Sequence, residues 1–492
     1  MSLIKIDHLT FAYPGSYENV FENCSFQIDS DWKLGFVGRN GRGKTTLLRL
    51  LQGQYEYSGA ISNSLRFDYF PCPVPDPAQI TRQVLGDLCP QAQEWEILRE
   101  FSYLEMKEDV LWRPFLTLSG GEQTKALLAA FFLNEGSFPL IDEPTNHLDT
   151  AGRDLVSRYL KRKGGFILVS HDRHFLDNCV DHILSLNRST IDVQSGTFSS
   201  WLENFNRQQA FEQARNDHLK KDIRRLAQAS RRASSWSART EASKFGNGPV
   251  DRGFVGHKSA KMMKRAKSIE TRREKALEEK TSLLKDVETA QRLKLCPLVH
   301  HSQTLAAFSQ VSPVYRGEPV CPPLSFEIRQ GDRILLEGGN GTGKSSLLKL
   351  LTGHLIDHTG TLSLASNLQI SCLPQDTSFL KGSLGRFTAS RGLDETLFRA
   401  ILRKLDFERA AFDRNMEDYS AGQKKKMLIA ASLCQRAHLY VWDEPLNYID
   451  IYSRMQIEQL IGEFAPTMIF VEHDQAFQDL IATKRVALDI KI

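Results

Sequence analysis

Along most of the chain, apolar residues fall in short unbroken runs that end at glycine or at a polar turn, the pattern of strands buried on both faces. KLGFVG (33–38) and RILLEG (333–338) are two such runs. Each passes into a glycine-rich stretch and then into a segment of helical periodicity, KTTLLRLL (44–51) and KSSLLKLL (344–351). FPLID (138–142) and GGFILVSHD (164–172) predict further strands of a mostly parallel sheet. The expected class is α/β, with ligands at the carboxyl ends of the strands.

The rhythm changes between about 206 and 290. Leu219, Ile223, Leu226 and Ala233 follow a spacing of fours and threes, as do Met262, Ala266, Ile269, Ala276, Leu283 and Val287, with Arg273 and Lys280 interrupting the second series. This predicts two long helices packed as an antiparallel hairpin. GNGPVDRGFVG (246–256), with four glycines and a proline, breaks them apart. At about 1.5 Å per residue each arm extends roughly 45 to 55 Å.

Four phrases occur twice in the same order. GRNGRGKTT at 38–46 returns as GGNGTGKSS at 338–346, LSGGEQ at 118–123 as YSAGQK at 419–424, LIDEP at 140–144 as VWDEP at 441–445, and VSHD at 169–172 as VEHD at 471–474. The offsets stay between 300 and 302 residues. The chain is therefore a duplicated domain with an insert between the copies. The expected division is 1–205, 206–290 and 291–492.

The first phrase has the pattern GxxxxGK[ST], placed between a strand and a helix, where backbone N–H groups can close around phosphate oxygens. Gly38, Asn40, Gly41, Gly43, Lys44, Thr45 and Thr46 form one such loop, and Gly338, Asn340, Gly341, Gly343, Lys344, Ser345 and Ser346 the other. Lys44 and Lys344 are expected on the β and γ phosphates, Thr45 and Ser345 on Mg²⁺. Asp142 and Asp443 end apolar runs, where a carboxylate meets the metal. Glu143 and Glu444 follow at once as candidates to polarise the attacking water. His171 and His473 are expected to sense the γ phosphate, and Tyr13 and Tyr315 to stack on a nucleobase. A lone DE pair, histidine or tyrosine is ordinarily a solvated or packed residue; repetition in register is what singles these out.

Composition narrows the class. Apolar residues make up 41% and charged residues 25% of the 492. The longest obvious apolar run, ALLAAFFL (126–133), is far too short to span a bilayer. The first residues, MSLIKIDHLTF, lack the layout of a secretion signal, so the cytoplasm is the expected address. Eight cysteines with no CxxC pair suggest neither a zinc site nor a disulfide framework. The net charge of +4 is unevenly spread. Between Arg207 and Glu288 stand 21 Lys and Arg against 11 Asp and Glu, which leaves the flanking copies mildly acidic. A basic arm with Phe254, Val255, Met262 and Met263 near its turn suits structured RNA, although a charged hairpin is more often a plain solvated surface.

Phosphate loop, LSGGE, LIDEP and SHD in that order resemble the nucleotide-binding domain of ATP-binding cassette proteins, over about four fifths of the chain. The resemblance implies ATP as nucleotide and two cassettes facing head to tail within one monomer. Ser420 and Gly422 would then stand opposite Lys44, and Ser119 and Gly121 opposite Lys344. It also implies a role for Gln375, in CLPQD, near the metal and the attacking water. The first copy departs there, with Cys72 in YFPCP, and the second signature departs with Tyr419 and Ala421. Both departures fall on the composite site of Lys44 and Glu143, which is expected to turn over more slowly than that of Lys344 and Glu444, with neutral drift of these positions as the alternative.

Twin cassettes with a basic hairpin between them resemble the ABC-F group, and the long tip with HKSAKMMKRAK (257–267) resembles its antibiotic-resistance, Lsa-type branch. That resemblance implies a partner, the bacterial 70S ribosome, with residues 206–290 reaching 23S rRNA and the P-site tRNA from the tRNA exit site. It implies displacement of lincosamides, streptogramin A compounds and pleuromutilins, with hydrolysis driving release, and neither a membrane nor an obligate protein partner. A housekeeping factor that rescues stalled ribosomes is the alternative within the group. The ATPase pair of an exporter and a DNA-organising ATPase are more remote.

Overall fold

The computed structural model describes residues 2–15, 19–134, 136–146, 148–187, 191–242 and 293–488. The chain forms two compact units: one joins Met1–Trp201 to Ala290–Ile492, and the other is Leu202–Thr289.

The first cassette contains β1 (Leu3–Phe11), β2 (Phe21–Asp29), β3 (Lys33–Gly38), β4 (Ser58–Ser62), β5 (Arg66–Phe70), β6 (Ser137–Asp142), β7 (Phe166–Val169), β8 (His182–Leu186) and β9 (Ile191–Ser195). Its helices are α1 (Lys44–Leu51), α2 (Thr81–Leu88), α3 (Glu94–Tyr103), α4 (Gly120–Phe131), α5 (Thr150–Lys161) and α6 (Arg173–Cys179). A six-stranded sheet runs in the order β5-β6-β7-β3-β8-β9, parallel except for β9. Leu34, Phe36, Leu140, Ile167 and Leu184 are buried at its centre, the unbroken apolar runs a two-sided parallel sheet demands. A small antiparallel sheet, β2-β1-β4, packs its Ile4, Ile6 and Leu9 into one core with Leu47 and Leu48 of α1.

The second cassette repeats this plan. It contains β10 (Thr304–Tyr315), β11 (Glu318–Pro319), β12 (Leu324–Arg329), β13 (Arg333–Glu337), β14 (His358–Leu364), β15 (Ile370–Leu373), β16 (Leu439–Asp443), β17 (Met468–Val471) and β18 (Lys484–Ala487). Between the cassettes lies α7 (Phe198–Ala242), and the second cassette's helices are α8 (Lys344–Leu351), α9 (Leu384–Ser390), α10 (Glu395–Lys404), α11 (Ala421–Cys434), α12 (Ile451–Phe464) and α13 (Gln475–Ile481). Its parallel sheet, β15-β16-β17-β13-β18, matches the first strand for strand up to the edge.

In both sheets the strand feeding the phosphate loop is central, flanked by the strand ahead of the His-Asp phrase. Both loops therefore open at the carboxyl end of the sheet, one strand removed from the strands that end in Asp142 and Asp443.

α7 runs 45 residues, about 67 Å at 1.5 Å per residue, longer than the periodicity alone suggested. Its start lies earlier than expected because Phe198 and Trp201 are buried and Ser199 N donates to Asp177 Oδ1 over 2.7 Å. The anticipated second arm, the glycine-rich break and the apolar tip lie outside the described residues.

Candidate functional site

Each phosphate loop is held open by a left-handed glycine at the entrance to its helix. Gly43 has φ 101°, and a Cβ there would lie 2.5 Å from Val20 Cγ1, so only glycine fits. Lys44 curls back over the loop, donating to Gly38 O (2.7 Å), Arg39 O (3.3 Å) and Asn40 Oδ1 (3.2 Å). Lys344 does the same with Gly338 O and Gly339 O, both at 2.7 Å. Burial lowers the proton affinity of both ammonium groups. Each points into a cradle of backbone amides built for anionic oxygens.

Both candidate metal carboxylates meet the hydroxyl that opens the loop helix. Thr45 Oγ1 donates to Asp142 Oδ2 over 2.9 Å, and Ser345 bonds Asp443. Asp443 Oδ1 is buried with no partner, an orphaned oxygen of the sort a hard cation satisfies. Among the described residues no cluster of three or more His, Cys, Asp or Glu could hold a metal on its own. A hydroxyl and a single carboxylate fit Mg²⁺ that keeps waters and shares nucleotide phosphates.

The glutamates Glu143 and Glu444 share an unusual backbone. Both have left-handed φ, 50° and 47°, fixed by amides that donate to Val169 O (2.9 Å) and Val471 O (3.0 Å). Strain of this kind, repeated at the same position in both copies, aims each carboxylate. Their surroundings differ. Glu444 Oε2 accepts from Gln375 Nε2 (2.7 Å) and Asn447 Nδ2 (2.6 Å), and Oε1 lies 3.6 Å from His473 Nε2. Burial alone would raise its proton affinity, but the bonds from His473 and Gln375 and the charge of Lys425 bring it below the usual carboxylate range. Glu143 Oε1 is buried without a hydrogen-bond partner, 3.5 Å from His171 Nε2. Burial, followed by the adjacent Asp142 charge, pushes its pKa up to about 8.

Strand pairing explains the contrast. β5 and β15 pair with β6 and β16 in the same register, Phe70 opposite Ile141 and Leu373 opposite Trp442, which puts Cys72 where Gln375 stands. The Cys72 thiol bonds Tyr69 O instead (3.6 Å), and Tyr69 itself donates to Asp142 Oδ2 over 2.8 Å. His171 turns its Nε2 to Asn40 Oδ1 (2.9 Å), and burial beside Lys44 keeps the ring neutral.

The two cassettes complete each other's cavities. One cavity of about 530 Å³ is lined by Tyr13, Lys44, Glu143 and His171 of the first and by Ser420, Ala421, Gly422 and Tyr448 of the second. Across the interface a Cβ on Gly422 would sit 3.2 Å from Asn40 Nδ2, and within its own cassette 2.6 Å from Tyr448 O. The other cavity, about 580 Å³, joins Tyr315, Lys344, Gln375, Glu444 and His473 to Gly120, Asn146 and Arg153. Ser119 and Gly121 do not line it, although Gly120 between them does. The Ser119 hydroxyl is turned into its own helix cap, donating to Glu122 Oε2 over 2.8 Å.

Tyr13 and Tyr315 stand at the cavity mouths, their hydroxyls on Thr46 Oγ1 (2.7 Å) and Ser346 Oγ (3.0 Å), with Tyr13 edge-on to Phe11 and Tyr55. Sequence reasoning missed Asn447, Tyr448 and the pairs Arg153–Asp172 and Arg454–Asp474, each 2.8 Å, that anchor the His-Asp turns. The doubled phrases carried the signal, for N-x-x-D follows DEP in both copies.

The ABC transporter family model matches residues 21–146 and 321–447, half of the chain. The chain belongs to that family, as an ABC-F ATPase with two ATP-binding cassettes. It is 28% identical over 491 residues to the ATP-binding protein Uup of Caulobacter vibrioides, covering 96% of this chain and 75% of that one. Identity to the ribosome protection protein VmlR of Bacillus subtilis is 25% over 487 residues (97% and 85%). To the energy-dependent translational throttle protein EttA of Escherichia coli it is 26% over 518 residues (94% and 88%). Among solved structures, the archaeal ribosome recycling factor aABCE1, crystallised with a ribosomal stalk protein, superposes with a TM-score of 0.62 at 20% identity, covering 98% of this chain and 87% of that one. At that identity the likeness speaks for the fold alone.

Proposed function

We propose that this ATPase binds the bacterial 70S ribosome at the tRNA exit site when its cassettes close on ATP, and that residues 206–290 then reach 23S rRNA and the P-site tRNA. On this reading the arm shifts the tRNA and dislodges lincosamide, streptogramin A or pleuromutilin drugs from the peptidyl-transferase centre, and hydrolysis releases the protein. The observation that carries the proposal is the direct seating of one cassette's signature on the other's phosphate loop, Gly422 against Asn40, in a chain that also carries a 45-residue basic helix. The similarity to VmlR supports the drug-related outcome. The comparable similarity to EttA supports a second reading, a translation factor acting on stalled ribosomes.

In the hydrolytic step, Lys44 and Lys344 neutralise phosphate charge and the loop amides fix its position. Thr45 with Asp142, and Ser345 with Asp443, would hold Mg²⁺, which when bound would supply positive charge against the negative charge developing on the phosphates. Glu444, ionised and aimed by Gln375 and Asn447, orients the attacking water. Among the described residues no such amide donor reaches Glu143, so on this reading the Lys44 site turns over more slowly.

Sucrose-gradient sedimentation of Glu143→Gln/Glu444→Gln protein with ATP tests ribosome binding; absence from ribosomal fractions defeats the proposal. Expression in a susceptible Gram-positive host, followed by inhibition assays across drug classes, separates drug protection from a housekeeping role.

A further inference from the structure

We propose that Asp406 and Glu458 of the second cassette are positioning residues for the first nucleotide site, joining its edge of the cassette interface so that the pair opens at the edge of the second site. The inference needs only paired cassettes, so it stands or falls apart from ribosome binding.

The first edge is tied by charge. Arg39 Nη1 lies 3.4 Å and Arg42 Nη2 3.6 Å from Asp406 Oδ2, and the Arg39 guanidinium sits 5.2 Å from the ring centre of Tyr452. Glu408 presses on the same loop, for a Cβ on Gly41 would be 2.8 Å from its Oε1. Farther along, Arg173 Nη1 donates to Glu458 Oε2 over 3.1 Å while its other terminal nitrogen bonds Oε1, a two-pronged pair in which Glu458 is buried and Arg173 partly so. Arg173 also lies 3.9 Å from Asp474 Oδ1.

The duplication supplies an internal control. At the second edge Gly339 and Thr342 replace Arg39 and Arg42, and Gln475 replaces Arg173. On the facing cassette Glu105, Lys107, Ala151 and Ser157 replace Asp406, Glu408, Tyr452 and Glu458. The backbone correspondence is sound, since Glu105 and Asp406 share the left-handed conformation, φ 49° and 58°. With neither arginine in its phosphate loop and serine in place of Glu458, the second edge cannot repeat these ion pairs. Gln475 Oε1 is instead buried without a hydrogen-bond partner.

All the ties at the first edge run between protein groups, so they need no nucleotide. They also reach the chemistry, because the Arg39 carbonyl accepts from Lys44 Nζ. Holding the Arg39 side chain from the opposite cassette therefore holds the loop that receives the phosphates.

Pulsed dipolar spectroscopy on the full chain tests this, with spin labels carried on unnatural residues at Gln54, just past the helix of the first phosphate loop, and Arg409, next to Glu408, and at the repeat-related His354 and Glu108 for the second edge. Without nucleotide, the first pair should give one narrow distance distribution and the second a broad one. Asp406→Asn with Glu458→Gln should broaden the first distribution to match, and should raise the nucleotide concentration that half-fills the first site several-fold while leaving the second unchanged. Potassium chloride at molar concentration, applied to the unsubstituted chain, should broaden the first pair alone, which keeps the test independent of how the variant folds. Equal breadth at both edges of the unsubstituted protein overturns the proposal, as does a first-edge distribution indifferent to both salt and substitution.

Discussion

Asn40, in the phosphate loop of the first cassette, donates its side-chain amide to the backbone carbonyl of Tyr448 in the second over 2.8 Å. The same side chain accepts from Lys44 and meets His171, so one residue ties the loop lysine, this histidine and the opposite cassette together. A single amide thereby joins the phosphate loop to the opposite cassette.

That junction leaves no room for a side chain on the signature glycine. Gly422→Val should block seating of the second cassette on the first, because a Cβ would already stand 3.2 Å from Asn40 Nδ2 across the interface and the branched methyls would press closer still. We expect loss of ATP-dependent closure and at least a tenfold fall in hydrolysis, on the order of 1.4 kcal/mol in the barrier. The unfolding temperature should fall as well, since the same Cβ would stand 2.6 Å from Tyr448 O within its own cassette; small-angle scattering with and without ATP reads closure separately.

Different donor sets around the two glutamates predict unequal mutational effects. Glu444→Gln should abolish most steady-state hydrolysis, and Glu143→Gln should reduce it by less than half. In a Glu444→Gln background, Cys72→Gln should raise the residual rate by restoring the amide that Gln375 supplies to Glu444. Equal losses from the two single changes would contradict the asymmetry.

Asp450, fully buried, pairs with Lys426 over 2.9 Å and accepts from Ser453 N and Oγ, both 3.0 Å. Burial works against its charge, but Lys426 and these bonds depress its proton affinity well below the ordinary value of 3.8. A depressed carboxylate contributes stability above its unfolded pKa and loses it as pH falls through the folded value. Thermal melts should therefore decline as pH drops below about 4. Asp450→Asn should remove that share of the decline and cost about 3 to 5 kcal/mol at neutral pH by stranding the Lys426 ammonium.

Arg224 and Arg225 are exposed on α7. Reversing both to glutamate should weaken ribosome association across all drug states and flatten its salt dependence, by roughly one unit of log–log slope for each phosphate left without its arginine. ATP hydrolysis without ribosomes should be unchanged. Co-sedimentation over a range of potassium chloride concentrations measures both.

The repeated phrases determined much from sequence alone: duplication, α/β class, the phosphate loops, the acidic strand ends, and even Cys72 as the counterpart of Gln375. These are local facts, written into the order of residues around a strand–turn–helix, and a turn that must admit phosphate tolerates few residue types. Only tertiary structure decided which groups touch. Asn40 finds Tyr448 408 positions away and Arg173 finds Glu458 285 positions away, distances at which sequence periodicity carries no information. The unequal settings of Glu143 and Glu444 likewise arise from strand register and burial, since the electrostatics of a carboxylate depend on the donors and charges that folding gathers around it.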